Sequence, residues 1–326
     1  MNQRLISLNE RDKWNEALNN VPHAFGHTWG SCYSMGLTLG MDTYLYHFED
    51  NGIHIVCPIT ERVYEGFVDV FTPYGFSGFV GNREYPGFTQ IWKDFAEERN
   101  YVCGYIGMNP LLDNITILDN SDISSANDIY ALNLKLSLDQ LFSNLHTNRK
   151  RQVKKHNELL TTFSDDKSIL KTFFFENFHS FFENRSAGLF SKFTKETLSN
   201  IVDLENVILI GKIQNEKIQA VSVFATTSYI AEYLFNISLP EGRSQTVPLL
   251  WEGIRILKEK GIPILNLGGG IKRGDSLSEF KERFGAEKYP IPVLKQVYNK
   301  GVFKELCERA GVSDTDNYFP PYRKKP

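Results

Sequence analysis

Four cysteines in 326 residues, Cys32, Cys57, Cys103 and Cys307, have neither the close pairing of a disulfide framework nor the spacing of a zinc site. No window approaches the roughly 18 continuous apolar residues of a membrane span. The opening MNQRLISLNERDKW has no apolar signal core. Together these absences lead us to expect a cytoplasmic protein with reduced, packed thiols and no membrane span. Seven histidines include no H-E-x-x-H or similar grouping, so no metal is expected. There is no G-x-S-x-G, and no serine or cysteine has an adjacent histidine pattern, so a covalent nucleophile is not expected either. Neither sign of charge prevails: 36 basic residues against 39 acidic give a formal net charge of −3. That excludes a broad electrostatic grip on DNA while leaving room for a local basic patch.

Apolar and aromatic residues, by contrast, are plentiful at 41% and 13%, enough to build sizeable cores. The length suits two domains of average size. The polar run DNSDISSAND, residues 119 to 128, is the best boundary, giving domains 1–120 and 121–326. In the first, Asn9 is positioned to cap a helix containing Trp14, Ala17 and Leu18. The aromatic segment HAFGHTWGSCYSMG follows, then TYLYHF, IHIVCPI and FVDVF as a three-stranded meander. The loop TPYGFSGFVGN, a helix near Phe88 to Glu98 and a strand at Tyr101 to Ile106 complete this half.

The second half opens on a strand from Tyr130 to Leu136. Ser137 and Gln140 then have the S-x-x-Q spacing that starts a helix, here expected to run to about Leu160. Leu138, Phe142, Leu145, Val153, His156 and Leu160 fall on one stripe with Arg149 in its middle. Lys150, Arg151, Lys154 and Lys155 project elsewhere. A guanidinium inside an apolar stripe needs a partner, either an internal carboxylate or a bound phosphate or carboxylate. A phenylalanine-rich helix from about Asp166 to Asn184 and another near Lys195 to Leu204 lead into VILIGKI, IQAVSVFATT and IAEYLFNIS, read as consecutive antiparallel strands. Strict alternation puts Glu232, Leu234 and Asn236 on one face of the last of these and Tyr233 and Phe235 on the other. Glu232 is a candidate proton acceptor or a structural carboxylate. Tyr233 and Asn236 are candidates to orient substrate. Val247, Leu250, Ile254 and Leu257 then mark a helix that Gly261 ends.

The densest signal is IPILNLGGGIKRGDSLSEFKERFG, residues 262 to 285: strand, glycine turn, short helix. Gly268, Gly269 and Gly270 allow a sharp turn and close approach of another chain or a ligand. Ser276 and Glu279 have capping-box spacing, and Gly285 suits a left-handed helix end. On the helix between, about residues 277 to 284, Leu277, Phe280 and Phe284 share one face, with Lys281 on its edge as the one charge aimed inward. Lys281 reads either as a stem over apolar surface or as a cation beside a glycine-lined cleft for phosphate or carboxylate. A last strand is expected around Val293 to Val297.

NLGGG followed by FKERFG resembles the carboxy-terminal signature of the Fem-type peptidyltransferases and related FemAB-like acyltransferases of the GNAT superfamily. TPYGFSGF, NRKRQVKKH and EGRSQTVPLLWEGI carry the likeness through most of the chain. It implies an α/β (α+β) fold of two tandem GNAT-like domains, each a mixed, mostly antiparallel sheet flanked by helices. It also implies an acyl or aminoacyl transferase that forms an amide on a nucleotide-linked amino sugar or a cell-envelope precursor, peptidoglycan or surface polysaccharide. The donor is aminoacyl-tRNA or acyl-CoA, with no tightly bound cofactor. By the resemblance Lys281 and Arg149 meet the anionic part of a substrate at one hollow, Arg243 adds to substrate binding, and Tyr74 walls the pocket. The Q/R-x-x-G-x-G/A loop of acetyl-CoA-dependent GNAT enzymes is replaced here by GRSQTVP, and the long helical hairpin of some Fem proteins is missing. The alternatives are an acetyl-CoA-dependent small-molecule N-acetyltransferase and a non-catalytic binding protein on the same frame.

Overall fold

A computed structural model describes residues 1–112, 123–158, 163–183, 193–214, 217–270 and 274–324. Positions 119 to 122 of the expected boundary, Leu160 and Asn184 lie outside the described residues. The chain divides into two compact units, 1–126 with 290–326, and 127–289. Where the sequence reading gave everything after residue 120 to the second domain, the last 37 residues fold with the first unit. The reason is strand pairing: Val293–Val297 runs antiparallel to Cys103–Gly107.

Unit 1 begins with strand β1 (Asn2–Ser7) and helices α1 (Arg11–Leu18) and α2 (Trp29–Leu39). Strands β2 (Thr43–Asp50), β3 (Ile53–Tyr64) and β4 (Phe67–Phe71) follow, then short β5 (Val80–Gly81), α3 (Phe88–Glu98) and β6 (Tyr101–Gly107). Its sheet has the order β1-β2-β3-β4-β6, with β5 on β3. β1 and α2 were not expected. α2 has ordinary end signals: Thr28 accepts from the Ser31 amide, and Gly40 closes it at φ 61°. Asn9 is not the cap of α1; Glu10 holds that place and its carboxylate accepts from the Ser7 amide.

Unit 2 contains most of β7 (Ile123–Asn133), then α4 (Leu138–Asn144), α5 (Thr147–Glu158), β8 (Phe163–Ser164), α6 (Lys167–Glu183) and α7 (Lys195–Asp203). A meander of β9 (Val207–Gln214), β10 (Lys217–Thr226) and β11 (Ala231–Ser238) follows, with α8 (Thr246–Glu259), β12 (Ile264–Gly269) and α9 (Ser276–Glu282) after it. The sheet order is β7-β12-β11-β10-β9-β8. β13 (Glu287–Val297) and α10 (Lys300–Arg309) return the chain to unit 1. α10 is a further element absent from the sequence reading, capped by Asn299 on the Val302 amide.

The single helix expected from 138 to about 160 is two. The Ser137–Gln140 capping box forms, but Leu145 is extended (φ −62°, ψ 141°), and the His146 amide leaves the helix to donate to the Arg283 carbonyl. That tertiary bond competes with continuation of the helix and wins.

The same plan recurs in both units: an antiparallel meander, a helix, then a strand parallel to the last strand of the meander. β4 and β6 stay partnered over Val68–Phe71. Above them Tyr298, bonded to the Trp92 indole at 2.9 Å, fills the space over Gly104. β11 and β12 pair only at Ala231–Leu265 and Glu232–Asn266 and then part. The parallel pair thus stays together in unit 1 and, among the described residues of unit 2, ends after two positions.

Candidate functional site

The opening between β11 and β12 follows from a bulge. Val223 pairs with Phe235 while Phe224 pairs with Tyr233, so Leu234 is left over and the alternation breaks there. The single-face grouping of Glu232, Leu234 and Asn236 expected from strict alternation is therefore corrected. Ala231 and Tyr233 lie on the α8 side, where Phe224, Leu250 and Ile254 pack. Glu232 points to the opposite side, as does Phe235, which meets Phe174 and Phe178 of α6 at 5.7 and 5.3 Å between ring centroids. Asn236 lies past the bulge; its Nδ2 donates to Ser222 Oγ at 2.9 Å, and its Oδ1 accepts from Thr246 Oγ1 at 3.2 Å. Tyr233 stacks obliquely on Phe224, and burial raises its phenol, opposed by Ser222.

Glu232 is 5% exposed and forms no ion pair among the described residues. Its Oε1 is buried without a hydrogen-bond partner among the described residues, and burial alone pushes the carboxyl up to about 8. Its register partner Asn266 is 1% exposed. Asn266 Oδ1 accepts from the Gly268 amide at 2.8 Å, while Nδ2 is buried with no acceptor among the described residues. Sequence reasoning passed over Asn266 as filler in an apolar strand.

Two of the three glycines have a structural reason, and the third makes a backbone contact. Gly268 has φ +73°, a conformation other residues resist. A Cβ on Gly269 would stand 2.7 Å from the Asp128 carbonyl oxygen. The Gly270 carbonyl accepts from Asn127 Nδ2 at 3.0 Å. Protein groups thus occupy the Gly268 amide and the Gly269 and Gly270 carbonyls.

Lys281 donates from Nζ to the Gly269 carbonyl at 2.5 Å and is 5% exposed. Burial lowers its ammonium to about 7, with Asp275 acting weakly the other way. Its helix is capped by Asp275 on the Ser278 amide, displacing the expected Ser276–Glu279 box, and Leu277 is exposed where an inward position was expected. Phe284 enters the α8-side core, so Lys281 reaches the end of β12 from that side, whereas Glu232 and Asn266 face the other. A group lying between the parted strands can meet both.

Arg149 addresses a different arc of α9. Its guanidinium lies over the Phe280 ring at 4.7 Å and near Phe284 at 5.8 Å, and Nη1 donates to Gln152 at 3.0 Å. These contacts, rather than a carboxylate, occupy it within its helix stripe. Its Nε is buried without a partner among the described residues. Burial and Arg283 lower its affinity for the proton, opposed by Glu279. Arg243 is exposed in the short turn before α8, and Tyr74 belongs to unit 1, where it is 40% exposed. Gly242, beside Arg243, is required by packing, because a Cβ there would meet the Gln219 carbonyl oxygen at 2.1 Å.

Two further groups escaped the sequence reading. Lys212 on β9 is fully buried, its ammonium 5.1 Å from the Phe163 ring centre, with no hydrogen-bond partner among the described residues. In unit 1, His47, Glu49 and His54 share one face of β2 and β3, with His47 Nε2 and His54 Nδ1 3.1 Å apart. Arg4 Nη2 stands 3.3 Å from His47 Nδ1. Since arginine only donates, Nδ1 is the acceptor and the proton sits on Nε2, which donates to His54. That is a hydrogen-bonded relay.

No protein-family model matches the chain, and no curated protein matches it by sequence. Solved structures do. FemX superposes with a TM-score of 0.70 at 12% identity, over 94% of this chain and 99% of that one. The L-PGS of Bacillus licheniformis gives 0.59 at 12% identity, over 91% and 96%. The C-terminal domain of a putative lysylphosphatidylglycerol synthetase from Agrobacterium fabrum gives 0.55 at 13%, over 85% and 91%. The fold is that of the FemAB-like GNAT proteins, as the carboxy-terminal signature led us to expect. Among the described residues no helix is long and apolar enough to cross a membrane.

Proposed function

We propose that the chain is an acyl or aminoacyl transferase that forms an amide on an amine, with the reaction held between β11 and β12 of unit 2. One observation carries this reading: the strands part directly after Glu232 and Asn266, and both side chains keep buried polar atoms that no described group satisfies. Unsatisfied buried groups are costly, roughly 1–3 kcal/mol each, and are retained where a ligand supplies the partner. The shared fold with FemX and with lysylphosphatidylglycerol synthetase domains is in keeping with it.

In this reading the amine attacks the acyl carbonyl carbon, the new C–N bond forms, and the bond from that carbon to the donor's oxygen or sulfur breaks. Glu232 as carboxylate takes the amine's proton, and the departing group leaves as the anion or collects a proton from solvent. Lys281, at the end of β12, faces the anionic part of a substrate, and a bound anion returns its amine to the charged form. Arg149 and Arg243 are the further cations for a nucleotide-linked acceptor. Tyr233 and Asn236 orient the substrate. The acceptor class is a nucleotide-linked amino sugar or an envelope precursor, and the donor is aminoacyl-tRNA or acyl-CoA.

The test is a mass-shift screen of nucleotide-linked amino sugars and peptidoglycan precursors against aminoacyl-tRNA and acyl-CoA donors. An acceptor that gains an acyl or aminoacyl mass supports the reading. Turnover with acetyl-CoA and simple amines alone would make the chain a small-molecule N-acetyltransferase. Ligand-induced thermal protection without product from any pair would make it a binding protein.

A further inference from the structure

The fixed orientation of Asn266 singles it out among the residues around the gap. Were its amide turned over, Nδ2 would face the Gly268 amide, donor against donor, so the 2.8 Å bond holds Oδ1 on the backbone. Both N–H groups of Nδ2 are then left without an acceptor among the described residues, in a side chain 1% exposed. Its register partner on the neighbouring strand, just before the strands part, is Glu232, whose Oε1 is equally without a partner among the described residues. A donor and an acceptor, both buried, thus stand on adjacent strands on one side of the sheet. The Gly268 conformation that secures this arrangement, φ +73°, is open to few other residues.

We propose that Asn266 is the carbonyl-binding residue of unit 2: its Nδ2 donates to the carbonyl oxygen of the acyl group while Glu232 accepts from the nitrogen that attacks it. This deepens the transferase reading and rests on it. The ligand class it selects is a group that becomes a secondary amide, C=O beside N–H, and excludes acceptors whose nitrogen has no hydrogen left after transfer. As the C–N bond forms, the carbonyl electron pair moves onto the oxygen, where Nδ2 receives it. When the carbonyl re-forms, the bond to the donor's oxygen or sulfur breaks, and the nitrogen's proton goes to the Glu232 carboxylate. A donor held ready for a developing oxyanion acts mainly on the rate of the step rather than on binding.

The experiment uses the full chain labelled with nitrogen-15. The Asn266 side-chain amide signals are assigned by their absence from the spectrum of Asn266→Asp, a variant that keeps an oxygen for the Gly268 amide. Titration with N-methylacetamide, the smallest probe offering both C=O and N–H, is expected to shift those signals saturably. Dimethylacetamide, lacking the N–H, is expected to bind less well. With the donor and acceptor pair found by mass shift, Asn266→Asp is expected to lower kcat by roughly 100-fold or more with KM changed little and the melting temperature held. Signals that do not move with N-methylacetamide overturn the assignment, and so does a variant with undiminished kcat. Amide binding at Asn266 with no product from any pair supports the carbonyl-binding role and overturns the transferase reading. Turnover in wild type that Asn266→Asp leaves intact does the reverse.

Discussion

The Lys281 ammonium donates to the carbonyl of Gly269, the residue that ends β12, and is shut away from water there. One backbone carbonyl is a thin set of partners for a buried cation, and the cost shows in an ammonium lowered to about 7. In the unfolded chain the same lysine titrates near 10.5. Between those values the unfolded state holds the extra proton, so stability rises with pH from about 7 to 10.5. Below 7 the full penalty of a buried cation is present. Lys281→Met is therefore expected to melt higher than wild type at pH 6, by about 1 kcal/mol or more, with the difference shrinking by pH 10. Melting curves of the two proteins across that range check it, and a constant difference would contradict it.

Glu232 has the opposite sign. Its folded carboxyl titrates at about 8 against an ordinary 4.5, so between those values the folded state holds the extra proton and stability falls as pH rises. Glu232→Gln is expected to match wild type near pH 4 and to gain on it by a few kcal/mol by pH 8, levelling beyond. Denaturant titrations at fixed pH values measure this. If the carboxylate is the proton acceptor, transfer by wild type also climbs as pH passes 8, and Glu232→Gln loses that climb.

Glycine replacements separate packing from turn geometry. Gly269→Ala would drive a Cβ to 2.7 Å from the Asp128 carbonyl, and Gly242→Ala to 2.1 Å from that of Gln219. Each is expected to destabilise by about 1–3 kcal/mol, Gly242→Ala the more. Gly261→Ala, at φ +75° with open space around it, is expected to cost only the backbone strain, roughly 1–2 kcal/mol. Chemical denaturation of the three variants ranks them.

Arg149 over Phe280 is a cation on an aromatic face at 4.7 Å. A double-mutant cycle of Arg149→Met and Phe280→Leu is expected to give a coupling of roughly 0.5–1 kcal/mol. Additive effects would mean that the stacking contributes nothing to the junction of α5 and α9.

The tandem plan was legible because the order of apolar runs, glycine turns and helical stripes is local, and the order of elements fixes much of a GNAT topology. NLGGG and FKERFG likewise marked the end of β12 and its following helix. What was not legible depends on distant partners. Nothing between Ser137 and Glu158 announces that His146 will bond to Arg283 and split the helix. Nothing in AEYLFNIS shows that Leu234 will be left over against β10, which moves Glu232 and Asn236 to different sides. The C-terminal segment read as the close of the second domain, yet β13 pairs with β6, some 190 residues earlier in the chain. Asn266 looked like one polar residue in a strand; only the register with Glu232 and the bond to Gly268 show that its amide is held with no acceptor among the described residues.

The most direct test of transfer at this site is the rate of amide formation by wild type and Lys281→Met, each with the same donor and acceptor below saturation. With a folded variant, a loss of at least roughly 100-fold in kcat/KM is expected from removing the cation that faces the anionic part of the substrate. Equal rates would show that amide formation does not take place at the end of β12.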